Sequence, residues 1–411
     1  MTVVSFFSGT FCNEEQIVSG LQRETQMNVF SDTDALAEAS KSSGLPAGKI
    51  ERAFSAKASI FNRFTHERER SLAHLRLALA ERLSEDDLVV QGFISHLIPG
   101  EVNHVLRICL IADMPSRIER AARKHGMAEG EAVKLIHRQD EDRAAWVLEL
   151  RDARDPWDSR FYDMLIPTEK KETADIVKLI QENMSKDVVK STERSKKAVD
   201  DFLLSARVEA ALVQGGHNVG VKAKNGAVSL TINKHVLMLA RLEEELKQIA
   251  KGVQGVQNVE TKVGPGFYQA DIYRKYDFET PSKVLLVDDE REFVQTLSER
   301  LLMRDMGSAV AYDGESALDL IQEDEPEVMI LDLRMPGIDG IEVLRRVKQT
   351  NPDIEVIILT GHGSEADRTT CLDLGAFAYL QKPVDIDRLS ETIRQANEKI
   401  HGRKARGEGS E

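Results

Sequence analysis

Five short apolar runs in the last third of the chain decide its fold: "KVLLVDDE" (Lys283–Glu290), "SAVAY" (Ser308–Tyr312), "EVMILDL" (Glu327–Leu333), "EVIILT" (Glu355–Thr360) and "FAYLQKP" (Phe377–Pro383). Each is too short for a stable helix and rich in Val, Ile, Leu or Ala. Between them lie amphipathic stretches of helical length. Strands alternating with helices call for a parallel, doubly wound sheet with helices on both faces. The carboxyl ends of such strands converge on a crevice where the strand order reverses. Asp288 and Asp289 sit just past the first run, Asp332 ends the third, Thr360 the fourth, and Lys382 the fifth. Three carboxylates brought together repel one another unless a cation joins them. Only oxygen donors are on offer, so a hard ion such as Mg²⁺ fits best. With that repulsion offset, an aspartate can attack phosphorus while an ammonium and a hydroxyl hold the transferred group.

In this order "VLLVDDE", "LDLRMPGIDG", "ILTGHGS" and "YLQKP" resemble the response-regulator receiver domain, over residues 282–400. The resemblance implies that Asp332 is the phosphoacceptor. It also implies that Asp288, Asp289 and Asp332 hold Mg²⁺ with the backbone carbonyl of Arg334, and that Thr360 and Lys382 bind the phosphoryl group. Gly361 would leave room for Thr360 to move, and Tyr379 matches the aromatic switch position. The implied phosphodonor is a sensor histidine kinase, and the receiver is a candidate surface for homodimerisation.

Working outward, 411 residues suit about three domains. The composition, 41% hydrophobic and 30% charged, is that of a globular protein rather than a disordered one. No apolar run reaches the roughly 18 residues of a membrane span, and "MTVVSFFSG" lacks the basic flank of a signal peptide. Cys12, Cys109 and Cys371 are scattered without metal spacing, so the expected setting is the cytoplasm. A net charge of −14 speaks against general phosphate-backbone binding, and no DNA or RNA partner is expected.

Residues 1–183 read as a first α/β domain. "SFFSGTFCNEEQIV" (Ser5–Val18) is a strand, a loop and a helix start, the arrangement that holds phosphate on free helix N–H groups. Ile50–Leu83 is a helical stretch or pair, with Phe61, Phe64, Leu72, Leu75, Leu79 and Leu83 spaced for one face. "FTHERERSLAHLRLALAERL", "IERAARKHGMAEGEAVKLIHRQDEDRAAW" and "DPWDSRFYDMLI" resemble the cytidylate-kinase-like family of nucleoside monophosphate kinases. The resemblance implies a P-loop-kinase-like sheet. It also makes Arg117, Arg120, Arg123 and Arg143 candidate nucleotide-phosphate ligands, although arginines three apart on a helix also fit a solvated face. The chain departs from the family at two points. Its loop has no Gly-Lys-Ser/Thr and carries Glu14 and Glu15, and Phe93 stands where an arginine follows the glycine of the mid-sheet strand. Side chains block close backbone approach and the glutamates oppose an anion, so the expectation is nucleotide binding without turnover. The rival expectation is an active kinase regulated by its receiver. His66, in "THERER", reads as a surface helix histidine.

Residues 184–278 begin with a charged stretch read as a linker helix. "NVGVKAKNGAVSLTINK" then forms a hairpin about Asn225-Gly226, followed by a helix and the strand "VQNVETKV". "VGVKAKNGAVSLTI" and "IAKGVQGVQNVETKV" resemble a BON domain, which implies a non-catalytic module that binds lipid or another ligand. Phe267, Tyr268, Tyr273, Tyr276 and Phe278 make the connection to residue 279 rich in aromatics, a candidate docking segment. The receiver spans 279–402, and 403–411 reads as an unstructured tail. The whole is an α/β multidomain chain: a P-loop-kinase-like domain, a small α+β module and a flavodoxin-like receiver.

Overall fold

A computed structural model of the chain describes residues 2–405, except Ala58, Asp86, His235, Leu237, 269–282, Asp305 and His362. The chain divides into two compact units, one of Met1–Ala58 with Glu67–Lys275 and one of Ser59–His66 with Tyr276–Glu411. Among the described residues no helix is long and apolar enough to cross a membrane.

The first unit opens with β1 (Val3–Ser8), α1 (Glu14–Thr25), β2 (Asn28–Ser31), α2 (Asp32–Ser43) and α3 (Ala47–Glu51). The one-turn α4 (Asn62–Thr65) falls in the other unit. α5 (Glu67–Leu83), β3 (Leu88–Gln91), β4 (Val105–Ile111), α6 (Met114–His125), α7 (Glu129–Arg151), β5 (Met164–Pro167) and α8 (Thr173–Met184) complete the α/β part. The sheet is parallel throughout, in the order β2-β3-β1-β4-β5. β1 is buried along its whole length because both faces are covered. Val3 joins Leu75, Leu79 and Trp146 on one face, while Val4 and Phe6 join Ile17 and Ile108 on the other. Helix starts are locally encoded. Ser31 and Asp34 form a capping box at α2, and Asp113 accepts the Ser116 N–H at 2.9 Å to start α6.

The stretch read as a linker helix is α9 (Glu193–Gln214), and it is packed rather than solvated. Its Val199 lies in the core that holds Leu75 and Leu79, and Arg76 Nη1 pairs with Glu209 at 2.5 Å. Its far end, Val208 and Leu212, forms a second core with β6 (Gly220–Lys224), β7 (Ala227–Ile232), α10 (Leu239–Lys251) and β8 (Asn258–Val263). The hairpin turns at Asn225 and Gly226, with φ of 50° and 81°, the positive pair that a type I′ turn requires. β7 runs antiparallel to β6 and parallel to β8. Of the aromatics suggested for docking, Phe267 is buried in this core, while Tyr273, Tyr276 and Phe278 lie outside the described residues.

The second unit contains β9 (Val284–Val287), α11 (Arg291–Leu302), β10 (Ser308–Ala311), α12 (Gly314–Glu323), β11 (Val328–Leu331), α13 (Gly340–Thr350), β12 (Glu355–Thr360), α14 (Glu365–Asp373), β13 (Ala378–Gln381) and α15 (Ile386–Ala405). All its strand pairs are parallel, in the order β10-β9-β11-β12-β13, so the order reverses between β9 and β11. α15 runs three residues into the stretch read as a tail. Lys399 and Arg403 hold it down on Glu355, a fully buried carboxylate, at 2.9 and 3.1 Å.

One placement departs from helical periodicity. Phe61 does not share a face with Leu72 and Leu75. It is fully buried in the second unit, in the core that holds Met329, Ile354, Val356 and Cys371. Ser59 Oγ donates to Asp324 Oδ2 at 2.5 Å, and Lys283 Nζ donates to the other Asp324 oxygen at 3.3 Å while lying 5.8 Å from the Phe61 ring. His66, expected on a helix surface, is buried and ends α4 in the left-handed region.

Candidate functional site

The carboxyl edge of the second sheet gathers four of the residues expected there. Oxygens of Asp288, Asp289 and Asp332 all lie within 4.8 Å of one another. Lys382 Nζ is 2.6 Å from Asp288 Oδ2, 3.0 Å from Glu290 Oε1 and 3.5 Å from Asp332 Oδ2. Asp288 and Asp332 are buried and Asp289 is exposed. Burial pushes the Asp288 carboxyl above its ordinary range and the charge of Asp332 adds to the rise, against the Lys382 hydrogen bond. Burial works to lower Lys382, but its hydrogen bonds to Asp288 and Glu290 prevail and its pKa rises. Asp332 Oδ1 accepts the Leu333 N–H at 2.7 Å, which turns Oδ2 toward Lys382. Thr360 is buried at the end of β12, where its carbonyl accepts the Lys382 N–H at 2.9 Å. Glu290 is the member that sequence reasoning missed. Its only signal is its place after the acid pair in "VDDE".

Two glycines shape this edge. A Cβ on Gly340 would lie 2.1 Å from the Asp332 carbonyl oxygen, so only glycine lets α13 start so close to the acidic loop. A Cβ on Gly363 would meet Tyr379 Oη at 1.6 Å, and that hydroxyl is buried with no hydrogen-bond partner among the described residues. Gly361 has open space, with Lys382 atoms no nearer than 3.9 Å to a Cβ there.

At the matching edge of the first sheet, the loop after β1 opens onto a cleft of about 740 Å³ lined by Ser8, Cys12, Glu14, Arg120, Lys124 and Thr168 among others. The loop keeps a tight path: Phe11 and Asn13 take φ of 61° and 66°, values that favour glycine. The candidate phosphate ligands are largely engaged by the protein itself. Arg117 donates Nε to the Thr10 carbonyl at 2.7 Å and forms a bidentate pair with Asp140, both bonds 2.8 Å. Arg120 binds the Phe11 carbonyl at 3.1 Å and both Thr168 oxygens at 2.9 and 3.0 Å. Arg143 donates to the Ser8 carbonyl at 2.6 Å and lies over the Phe93 ring. Arg123 is exposed, 3.9 Å from Glu119. Glu14 Oε1 is buried with no hydrogen-bond partner among the described residues. Burial pushes Glu14 up to about 7, with Asp32 adding to the rise against a Ser8 hydrogen bond. Asp32 is itself raised to about 6 by burial, although the Ile94 and Phe93 N–H groups bind it.

A doubly wound sheet with an acid cluster and a lysine at its reversal point defines a class of signal-receiving domain, and comparison with known proteins agrees. Residues 284–394 match the response regulator receiver domain, and residues 11–170 match the cytidylate kinase-like family. The chain thus carries a C-terminal receiver and an N-terminal cytidylate kinase-like domain. Response regulator MprA of Mycolicibacterium vanbaalenii is 38% identical over 114 residues, covering 28% of this chain and 49% of that protein. Transcriptional regulatory protein CpxR of Escherichia coli K12 is 43% identical over 120 residues, covering 29% of this chain and 51% of that protein. The chain therefore spans about half the length of these relatives. The receiver domain of Francisella response regulator 1452 is 32% identical, covers 29% of this chain and 98% of that structure, and superposes with a TM-score of 0.28.

Proposed function

We propose that this two-component response regulator accepts a phosphoryl group on Asp332 from a sensor histidine kinase, in the cytoplasm. Its output would run through the N-terminal kinase-like and BON-like regions rather than through DNA. The observation that carries the reading is Lys382 Nζ lying between Asp288 and Asp332, at 2.6 and 3.5 Å, in a cluster of three carboxylates. Oδ2 of Asp332 attacks phosphorus. As the O–P bond forms, the P–N bond of the donor phosphohistidine breaks, and the departing imidazole nitrogen takes a proton from solvent. The Leu333 N–H holds Oδ1 so that Oδ2 faces the attack, while Lys382 and Thr360 receive the phosphoryl oxygens. The all-oxygen donor set fits Mg²⁺, which Asp288, Asp289, Asp332 and the Arg334 carbonyl would hold. When bound, the ion offsets the repulsion between these carboxylates and the incoming phosphoryl oxygens. Tyr379 beside Gly363 is the candidate switch.

Nucleotide binding without turnover is the proposal for the first domain. The lack of turnover is supported by arginines engaged with backbone carbonyls and by Glu14, whose Oε1 is buried in the cleft. The open cleft also favours one rival, a receiver-regulated nucleoside monophosphate kinase. Incubation with labelled acetyl phosphate and Mg²⁺ tests the main reading. Wild type should acquire an acid- and base-labile phosphate, and an Asp332→Asn protein labelling equally well would overturn it. ATP-dependent product from CMP, UMP or AMP in a coupled assay would promote the rival.

A further inference from the structure

A second cavity, of about 250 Å³, lies in the first unit among Phe7, His96, Arg107, Arg151, Arg160 and Tyr162. Arg107 sits in β4, a strand flanked by β1 and β5, where a charged side chain is out of place unless paired. One of its nitrogens, Nη2, donates to the carbonyls of Pro99 at 3.0 Å and Val102 at 3.2 Å. Arg151, at the end of α7, likewise uses Nη2 for the carbonyls of His96 at 3.0 Å and Ile98 at 3.2 Å. Its Nε is buried and meets no acceptor among the described residues. Neither guanidinium forms a salt bridge with a carboxylate among those residues. Asp163 Oδ2 is already bound to the Arg107 backbone N–H at 2.8 Å.

Asp163 also lines the cavity and Glu101 acts to raise Arg151, yet neither carboxylate forms an ion pair with a guanidinium among the described residues. Burial lowers Arg107, partly offset by Asp163, and the charge of Arg151 lowers it further. Burial holds His96 neutral, near 3, and both arginines add to that shift. Two partly desolvated like charges with unspent donors are stabilised by an anion that bridges them, and the planar fork of arginine suits a carboxylate. The walls are aromatic. The Phe7 ring lies 4.4 Å from His96 and 6.5 Å from a nearly parallel Tyr162, and Phe161 stands 6.3 Å from His96. Tyr162 Oη donates to the Pro156 carbonyl at 2.5 Å, so neutral His96 presents its Nε2–H to that hydroxyl at 3.0 Å. These polar groups hold the walls and leave the arginines to face a ligand. Arg160 stands exposed beside Phe161, 6.0 Å from its ring.

We propose that this cavity binds a small single-ring aromatic carboxylate, its carboxylate between Arg107 and Arg151 and its ring against Phe7 and Tyr162. The volume, below the roughly 300 Å³ at which drug-sized pockets begin, suits a single ring better than a nucleotide. The site is separate from the cleft at the loop after β1 and depends on neither phosphotransfer nor nucleotide binding.

Benzoate is the probe, titrated into the full chain at neutral pH and low salt. Trp157, whose ring is 5.7 Å from Phe7, provides a fluorescence signal and calorimetry the stoichiometry. One saturable site is expected, weakened at least tenfold by Arg107→Met or Arg151→Met. Benzamide, with the ring but no charge, should not bind, and inorganic phosphate should not compete. Should either variant fail to fold, Arg107→Lys and Arg151→Lys, which keep the charge and lose the planar fork, should still weaken benzoate severalfold. Absence of saturable binding, displacement by phosphate, or unchanged affinity in folded arginine variants would overturn the proposal and leave the arginines as braces for the 96–102 loop.

Discussion

Each unit ends its first strand in a loop that leads to a helix, Ser8 to Glu14 in one and Val287 to Arg291 in the other. Each brings cations to that loop, yet the cations meet different partners. In the first unit Arg143, Arg117 and Arg120 donate to the carbonyls of Ser8, Thr10 and Phe11, the loop's own backbone. In the second, Lys382 faces Asp288, Glu290 and Asp332, and its backbone contact is made by the main-chain N–H. A guanidinium bound to carbonyls shapes a loop, and an incoming anion would have to break that shape. An ammonium among carboxylates can exchange one oxygen partner for another, and one of its partners is the proposed nucleophile. The two cores differ as well. The first unit's sheet is covered by helices near it in sequence, whereas the second includes Phe61, more than 200 residues before its first strand.

The difference between the cores carries the largest expected effect. Phe61→Ala should leave a cavity in the receiver core and cost about 3–5 kcal/mol there. Both tryptophans, Trp146 and Trp157, belong to the first unit, so the fluorescence transition of that unit should stay in place. Cys371, buried in the same core as Phe61, should become alkylated faster in peptide-resolved labelling. Unchanged Cys371 protection would mean that the receiver core is complete without Phe61.

The difference between the cations comes next. Lys382→Met keeps the stem and removes the charge, and should slow labelling by acetyl phosphate about 10²–10³-fold. Arg120→Met should leave labelling at the wild-type rate and instead lower the stability of the first unit by about 1–3 kcal/mol, because it frees three partly buried acceptors. Comparable labelling by the lysine variant and wild type would erase the contrast between the two edges.

The receiver edge was legible because its candidate residues sit at the ends of neighbouring strands, where a continuous apolar run stops at an acid, a threonine or a lysine. Glu290 was not, since an acid at the start of a helix also suits the helix dipole. In the first unit, the missing glycines and the paired glutamates were plain, but the duties of Arg117 and Arg120 were not. Their acceptors are carbonyls, which every residue carries. Phe61 shows a further limit: its spacing fits the face of α5, and local periodicity does not record which of two cores an apolar ring enters. α9 misled in the opposite sense, because its two lysines and four acids mask Val199, Leu212 and Val213, which are buried.

Glu14 gives the smallest effect and bears most directly on the first cleft. Its folded carboxyl titrates near 7 instead of the ordinary 4.5. Below the ordinary value the group is neutral in both folded and unfolded chains and costs nothing. Between 4.5 and 7 the unfolded chain releases the proton while the folded chain keeps it, so stability falls as pH rises, and above 7 the whole cost is present. Glutamine is neutral throughout. Glu14→Gln should therefore match wild type near pH 4 and exceed it by on the order of 1–3 kcal/mol near pH 8, read from the tryptophan transition in urea. Asp32, raised to about 6, follows the same sign over a narrower window. An equal gain at both pH values would point to packing instead of charge. A loss of stability near pH 8 would show that the Glu14 carboxylate is compensated in the folded state. The cleft would then hold usable positive charge, and nucleotide turnover in this domain would again be the reading to test.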